Sequence, residues 1–367
     1  MTSPYAPAAA FWSGRRVFLT GHTGFKGGWL AAWLAHLGAE VHGYSLAPER
    51  SPSLFEVVGV AGLCRGSTIG DLRDAERLAA ALAEARPEIV FHLAAQPLVR
   101  RSYREPVETF STNVMGTVTL LEALRARPEL RAAIVVTSDK CYENRELGQP
   151  FREDDPLGGH DCYSASKAAQ EIVAASYRAS FLKAAGVRLA TARAGNVIGG
   201  GDWGEDRLVP DVVQAFAAGR PLVVRNPEAV RPWQHVADPL LGYLRLARAC
   251  VEGGERFASA WNFGPALEDI RPVRVVAERM ARAWGGGASW RAEPQDNAPA
   301  EAGLLRLDAE KARNDLGWRP LLDFDGMIAE TVHWYRAWHQ GEDACALSRR
   351  MTALFAGARE RASCVSC

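Results

Sequence analysis

Arg16-Val17-Phe18-Leu19-Thr20, Gly21-His22-Thr23-Gly24-Phe25-Lys26-Gly27-Gly28 and the apolar run Trp29 to Leu37 follow one another without a break. A short β-rich run, a glycine loop and a helix in that order open a βαβ unit of the dinucleotide-binding kind. The glycines let the backbone turn tightly and approach a pyrophosphate, and the helix N-terminus then faces negative charge. The pattern predicts a parallel sheet wrapped by helices, because parallel neighbours need crossover connections.

The following segments repeat the alternation. Ala39 to Ser45 reads as a second strand, Ala75 to Ala85 as a helix, and Pro87 to Ala95 as a strand ending in small residues. Phe110 to Arg125 reads as a helix, Ala132 to Val136 as a buried strand and Val187 to Arg193 as a further strand. After Gly199-Gly200-Gly201 the alternation breaks down, which marks a crossing into a second lobe. The expected architecture is a Rossmann-type doubly wound parallel sheet with a smaller, mixed α/β C-terminal lobe. Its dinucleotide-binding domain takes residues 1–198 with 233–264. The lobe takes 199–232 with 265–340, and 341–367 form a tail with the last ordered region ending near Trp338. Cys364 and Cys367 make a C-x-x-C in that tail, with no second pair to complete a metal site.

Composition excludes several functions. Of 367 residues, 43 are basic and 43 acidic, so no charge excess points to nucleic acid. No apolar run is long enough to cross a bilayer, and the N-terminus lacks the basic region of a signal peptide. Seven scattered cysteines suit reduced thiols in the cytoplasm, and no metal site is expected.

The chemistry concentrates in two places. Ala132 to Val136 runs into Thr137-Ser138-Asp139-Lys140, unusually polar for the end of a buried strand. In open α/β sheets ligands sit at the carboxyl ends of strands, so Ser138, Asp139 and Lys140 are site candidates. Downstream, Tyr163 and Lys167 lie four residues apart at the start of an alanine-rich helix and share one face. A lysine ammonium beside a phenol favours the phenolate, which makes a base for a sugar hydroxyl.

Other positions stay open. Asp71 could accept from an adenine amino group or merely cap the next helix. His22 and Lys26 could touch a pyrophosphate or face solvent. The second strand ends without the acid that often holds a ribose in NAD folds, and Arg50 follows, so NAD and NADP are both open there. Arg231, beside Pro232 and Trp233, is the lobe arginine best suited to a phosphate, whose oxygens it can bind in pairs.

Six motifs occur in order: the glycine loop, Asp71-Leu72, His92-Leu93-Ala94-Ala95, Thr137-Ser138-Asp139, Tyr163-x-x-x-Lys167 and Leu316-Gly317-Trp318-x-Pro320. Together they resemble the extended short-chain dehydrogenase/reductases that act on nucleotide sugars, from about Phe11 to about Trp338. Within these, Gly21 to Gly27, Thr137 to Asn144 and Arg231 to Val236 look like the CDP-linked branch of the 4,6-dehydratases.

The resemblance implies a hydro-lyase of deoxysugar biosynthesis, a homodimer that uses NAD and removes water from CDP-glucose or a related nucleotide sugar; the alternatives are a dTDP- or GDP-linked 4,6-dehydratase and a nucleotide-sugar 4-epimerase or reductase on the same fold. It assigns Ser138, Asp139, Lys140, Tyr163 and Lys167 to catalysis. It gives Gly21, His22, Thr23, Gly24, Phe25, Lys26, Gly27, Asp71, Leu72, Ala94, Ala95 and Gln96, with Tyr163 and Lys167, to the cofactor. Asn196, Arg207, Leu208, Arg231 and Gln234 go to the sugar nucleotide. The dTDP-linked relatives usually carry Thr-Asp-Glu where this chain has Ser138-Asp139-Lys140, which makes Lys140 the unusual candidate for the C5 base.

Overall fold

Seven strands, all parallel, form the central sheet of the computed structural model, which describes residues 8–145, 148–293 and 305–362. They are β1 (Arg16–Thr20), β2 (Glu40–Ser45), β3 (Gly66–Ile69), β4 (Ile89–His92), β5 (Ala132–Val136), β6 (Arg188–Ala194) and β7 (Ala260–Phe263). Their order is β7-β6-β5-β4-β1-β2-β3, so the winding reverses between β1 and β4. This is the doubly wound sheet that the sequence predicts. The loops after β1 and β4 part at the reversal and leave a crevice beyond the strand ends.

Both faces of the sheet are covered, which is why β4 and β5 are buried along their whole length. Side chains alternate between two apolar layers. Val17, Leu19, Ile89, Phe91 and Ile134 pack on one side, and Phe18, Val90, Ala133 and Val135 on the other. β3 was not legible as a strand. Its four residues, Gly-Ser-Thr-Ile, alternate between exposed and half-buried at the sheet edge and carry no apolar run.

The glycine loop is fixed by sterics. Gly21 has φ +81°, a conformation that side chains resist. A Cβ on Gly27 would lie 1.9 Å from the Gly21 carbonyl oxygen, so only glycine lets the Phe25–His36 helix approach the loop.

The lobe is built from short pieces. Leu222–Val224 pairs with Trp290–Ala292, and Val230–Arg231 with Arg271–Pro272. Gln234–His235 pairs with Val197–Ile198 and carries the chain back toward the sheet. The Ala237–Gly253 helix then packs on β5 and β6, and β7 adds to β6.

The expected tail differs. Ala344–Ala362 is a helix that docks on the Phe25–His36 helix, with Ala344, Leu347 and Met351 buried. Those three residues recur at helical spacing against a helix apolar on most sides, including Trp29, Leu30 and Trp33. Cys364 and Cys367 lie outside the described residues. No helix among the described residues is long and apolar enough to cross a membrane, and none of their His, Cys, Asp and Glu side chains gather in a metal-binding group.

Candidate active site

The crevice is a cleft of ≈ 920 Å³ between the strand ends and the lobe. The glycine loop, the ends of β4, β5 and β6, the first turn of the tyrosine helix and the loop before the Leu208–Ala217 helix line it.

Ser138 and Asp139 are presented by a short 3-10 turn, Asp139–Cys141, which directly follows β5. Ser138 Oγ caps this turn by accepting from the Lys140 backbone N–H at 3.2 Å. The same hydroxyl donates to Asp139 Oδ1 at 2.9 Å. Tyr163 arrives on the Cys162–Tyr177 helix, whose first turn is held by Asp161 accepting from the Ser164 N–H. Its phenol faces the Ser138 hydroxyl. Tyr163, Ser138 and Asp139 thus stand in one row, with Ser138 bonded to Asp139 and each residue less than a tenth exposed.

Burial dominates the electrostatics. Desolvation raises the Asp139 carboxyl above its ordinary range, although Lys140, the Ser138 hydroxyl, Arg231 and Lys26 all oppose the rise. Asp139 Oδ2 accepts no hydrogen bond among the described residues. A carboxyl held toward its acid form can give a proton to a leaving group.

The Tyr163 phenol is pushed up to about 12 by desolvation; the Ser138 hydroxyl and the Arg207 charge act against this, and Asp139 adds to it. Lys167 lies one turn along the same helix. Its Nζ lies 6.0 Å from the Tyr163 ring centroid and donates to Gln170 Oε1 at 2.7 Å. Desolvation and the Lys26 charge lower its ammonium to about 7. In this arrangement Gln170, one turn along the helix, holds the Lys167 amine beside the Tyr163 ring. Gln170 in turn donates to Thr117, which is bonded to His92.

The structure brings Ser138, Asp139, Lys140 and Tyr163 together in the cleft. Thr23, Gly24, Phe25, Lys26, Leu72, Ala94, Ala95 and Gln96 line its cofactor side, and Asn196, Arg207, Leu208 and Arg231 its lobe side. Lys26 reaches inward, where burial and the Arg207 charge lower it to about 8 and Asp139 opposes.

Besides Lys167, three expected residues stand outside the cleft lining. His22 is fully buried beneath Gly43, where a Cβ would meet its ring at 2.3 Å, and its Nε2 bonds Ser67 Oγ at 2.8 Å. Its side chain faces neither a pyrophosphate nor solvent. Asp71 sits outside the cleft lining, its carboxylate bound by Arg73 at 2.5 Å. Gln234 is buried and donates to the Phe263 carbonyl at 2.9 Å, so it serves the return crossing to the sheet.

Sequence reasoning missed Asp202. It accepts twice from Arg207, at 3.0 and 2.9 Å, and so aims a guanidinium into the cleft. Their five-residue spacing within a glycine-rich loop gives no periodic signal.

A parallel seven-stranded sheet with Ser138 and Tyr163 facing a cleft beyond its strand ends is the arrangement of the extended short-chain dehydrogenase/reductase class. The chain belongs to the GDP-mannose 4,6 dehydratase family, whose model matches residues 18–331. It is 49% identical over 345 residues to the CDP-glucose 4,6-dehydratase of Salmonella typhimurium, covering 93% of this chain and 96% of that protein. A dTDP-glucose 4,6-dehydratase from Streptomyces venezuelae, solved as a double mutant with NAD bound, gives a TM-score of 0.74 at 26% identity over 88% of this chain and 97% of that one. The dTDP-glucose 4,6-dehydratase of Bacillus anthracis, in complex with NAD, shares the fold with a TM-score of 0.72 at 21% identity, covering 89% of this chain and 98% of that one.

Proposed function

We propose that this chain is a CDP-glucose 4,6-dehydratase that converts CDP-glucose to CDP-4-dehydro-6-deoxyglucose and water, with NAD as resident cofactor. The observation that carries the reading is the row Tyr163-Ser138-Asp139 with Lys140 beside it, in a chain so close to a CDP-glucose 4,6-dehydratase.

The residues fit a dinucleotide. The Phe25–His36 helix begins at Gly24 with no side-chain cap, so its first amide groups remain for a pyrophosphate. Ala94 and Ala95 keep the end of β4 low enough for close passage. Arg50 pairs with Glu205 at 2.6 Å, which engages the cation that a 2′-phosphate would need and favours NAD over NADP. When bound, the dinucleotide accepts the electron pair released at C4 and returns it at C6.

The remaining steps belong to the chain. Tyr163 takes the proton of the sugar 4-hydroxyl, and Ser138 hydrogen-bonds the oxygen that becomes the ketone. Lys167, freed from Gln170, supplies the positive charge that the phenolate requires. The ketone acidifies the C5 proton, and Lys140 removes it. Asp139, in its acid form, protonates the departing 6-hydroxyl, so water leaves and a conjugated enone remains; C5 regains a proton from Lys140 as the electron pair returns to C6, which gives the 6-deoxy ketone. Arg207 and Arg231 bind the diphosphate. Lys140 lines the cleft beside Asp139, which supports its role as base.

Exposed Val107, Phe110, Met115 and Ile172 lie on the helices between β4 and β6 and supply an apolar face that a second copy covers, in a homodimer. Free Cys64, Cys141, Cys162, Cys250 and Cys345 suit the reducing cytoplasm.

The test is incubation of the purified protein with CDP-, dTDP-, UDP- and GDP-glucose. A 4-keto product lighter by one water, formed fastest from CDP-glucose, is expected. A product of unchanged mass would overturn dehydration, and faster turnover of another nucleotide would overturn the cytidine assignment.

A further inference from the structure

Glu171 and Arg193 form an ion pair in the interior, 2.9 Å apart, with each side chain 3% exposed. Neither faces the cleft, and the steps above use neither. A buried pair of this kind is weak evidence for stability, because apolar residues of similar volume often serve as well. Its neighbours suggest another role.

Glu171 lies two turns beyond Tyr163 on the same helix. Its Oε1 accepts from Thr137 Oγ1 at 2.5 Å, and its Oε2 from Thr191 Oγ1 at 2.6 Å. Thr137 immediately precedes Ser138. Arg193, on β6, donates through Nη1 to the Tyr142 hydroxyl at 2.7 Å and to the Glu153 carbonyl at 3.0 Å. The Tyr142 hydroxyl donates onward to Asn262 Oδ1 on β7 at 2.7 Å. Tyr142 immediately follows the Asp139–Cys141 turn. The carboxylate thus holds the residue entering the turn, and the guanidinium holds the residue leaving it.

We propose that the Glu171–Arg193 pair is a positioning bracket, which ties both ends of the Ser138–Cys141 segment to the helix that carries Tyr163. The carboxylate ties the phenol-bearing helix to the strand end, and the guanidinium keeps the turn from swinging into the cleft. Neither residue touches substrate. They act through Ser138 and Asp139, whose separation from Tyr163 they set. The role rests on the dehydratase reading.

Removing Glu171 outright would strand the arginine in the core, so the test cuts the tethers and leaves the pair. Thr137→Val removes one hydroxyl and keeps the volume; Tyr142→Phe removes the other; Thr137→Ser is the conservative restoration. In Thr137→Val and Tyr142→Phe, kcat for the 4-keto product should fall by about tenfold to a hundredfold with KM unchanged, since a small misplacement of reacting groups costs that much. Thr137→Ser should retain wild-type kcat. Amide hydrogen exchange across Ser138 to Tyr142 should quicken in the two slow variants by more than their loss of global stability, read from the melting temperature, accounts for. Wild-type kcat with unchanged exchange in Thr137→Val and Tyr142→Phe would overturn the bracket, as would a loss carried by KM alone. The exchange measurement needs no turnover, so it decides the bracket even in a protein that makes no keto sugar, a result that sinks only the dehydratase reading.

Discussion

Ser138 donates to Asp139 at 2.9 Å while the Tyr163 phenol faces the same hydroxyl, so one small side chain stands between the group that takes the first proton and the group that protonates the departing hydroxyl. Ser138→Ala removes this hydroxyl, and with it the donor to the sugar O4. The kcat should fall by about a hundredfold or more, the usual loss for one oxyanion donor. The product should remain the same, which chromatography of the reaction mixture checks. Undiminished turnover would show the row to be structural.

Asp139→Asn keeps the size and the acceptor oxygen but cannot release a proton to the 6-hydroxyl. Loss of water should fall by about a hundredfold or more, as when a general acid is removed. Exchange of the C5 hydrogen with solvent deuterium should continue, because C4 oxidation and C5 deprotonation precede the step that Asp139 serves. In the wild type, burial raises the Asp139 carboxyl. The acid form therefore survives to higher pH than for an exposed aspartate, and dehydration should decline as the pH rises through the raised value.

Lys140→Met leaves a side chain of similar length with no basic nitrogen. Deuterium wash-in at C5 should become undetectable in the recovered sugar. Exchange at the wild-type rate would assign the proton to another base.

Lys167→Met should abolish turnover and yet stabilise the protein. The ammonium is lowered to about 7 in the folded state, against 10.5 ordinarily, first by desolvation and then by Lys26. Below pH 7 both folded and unfolded states carry the proton, and the folded state bears the full penalty of a buried charge. Between pH 7 and 10.5 only the unfolded lysine remains charged, so the penalty fades as the pH rises, and above 10.5 it is gone. Thermal melts should show the variant ahead by on the order of 4 kcal/mol at pH 7 and level with wild type near pH 10.5. A variant less stable than wild type at neutral pH would mean that the Gln170 bond outweighs the burial of the charge.

The sheet could be read in the sequence because its inner strands are continuous apolar runs and its loops carry glycine signals. β3 could not, since Gly66-Ser67-Thr68-Ile69 has no apolar run and gains its place only by pairing with β2. The catalytic residues were legible for a similar reason: polar side chains at the end of an apolar strand stand out, as Ser138 and Asp139 do after Val136. What sequence spacing could not supply was direction. Nothing in Tyr163-x-x-x-Lys167 shows that Gln170 holds the lysine, because that bond depends on rotamers and on Thr117, which is distant in the chain. His22 was misplaced for the same reason. Its position in the loop was clear, and its turn inward beneath Gly43 was not.

The helix Ala344–Ala362 covers the glycine-loop helix from the far end of the sequence. During synthesis the residues that grip the cofactor emerge first, and their cover emerges hundreds of residues later. Until then the flank of the Phe25–His36 helix that meets this cover stays bare, and a ribosome-bound chain exposes it beside the cofactor loop. The fold thus defers completion of its oldest-made part, and a stalled or shortened product would offer that flank to chaperones or proteases rather than hold a dinucleotide.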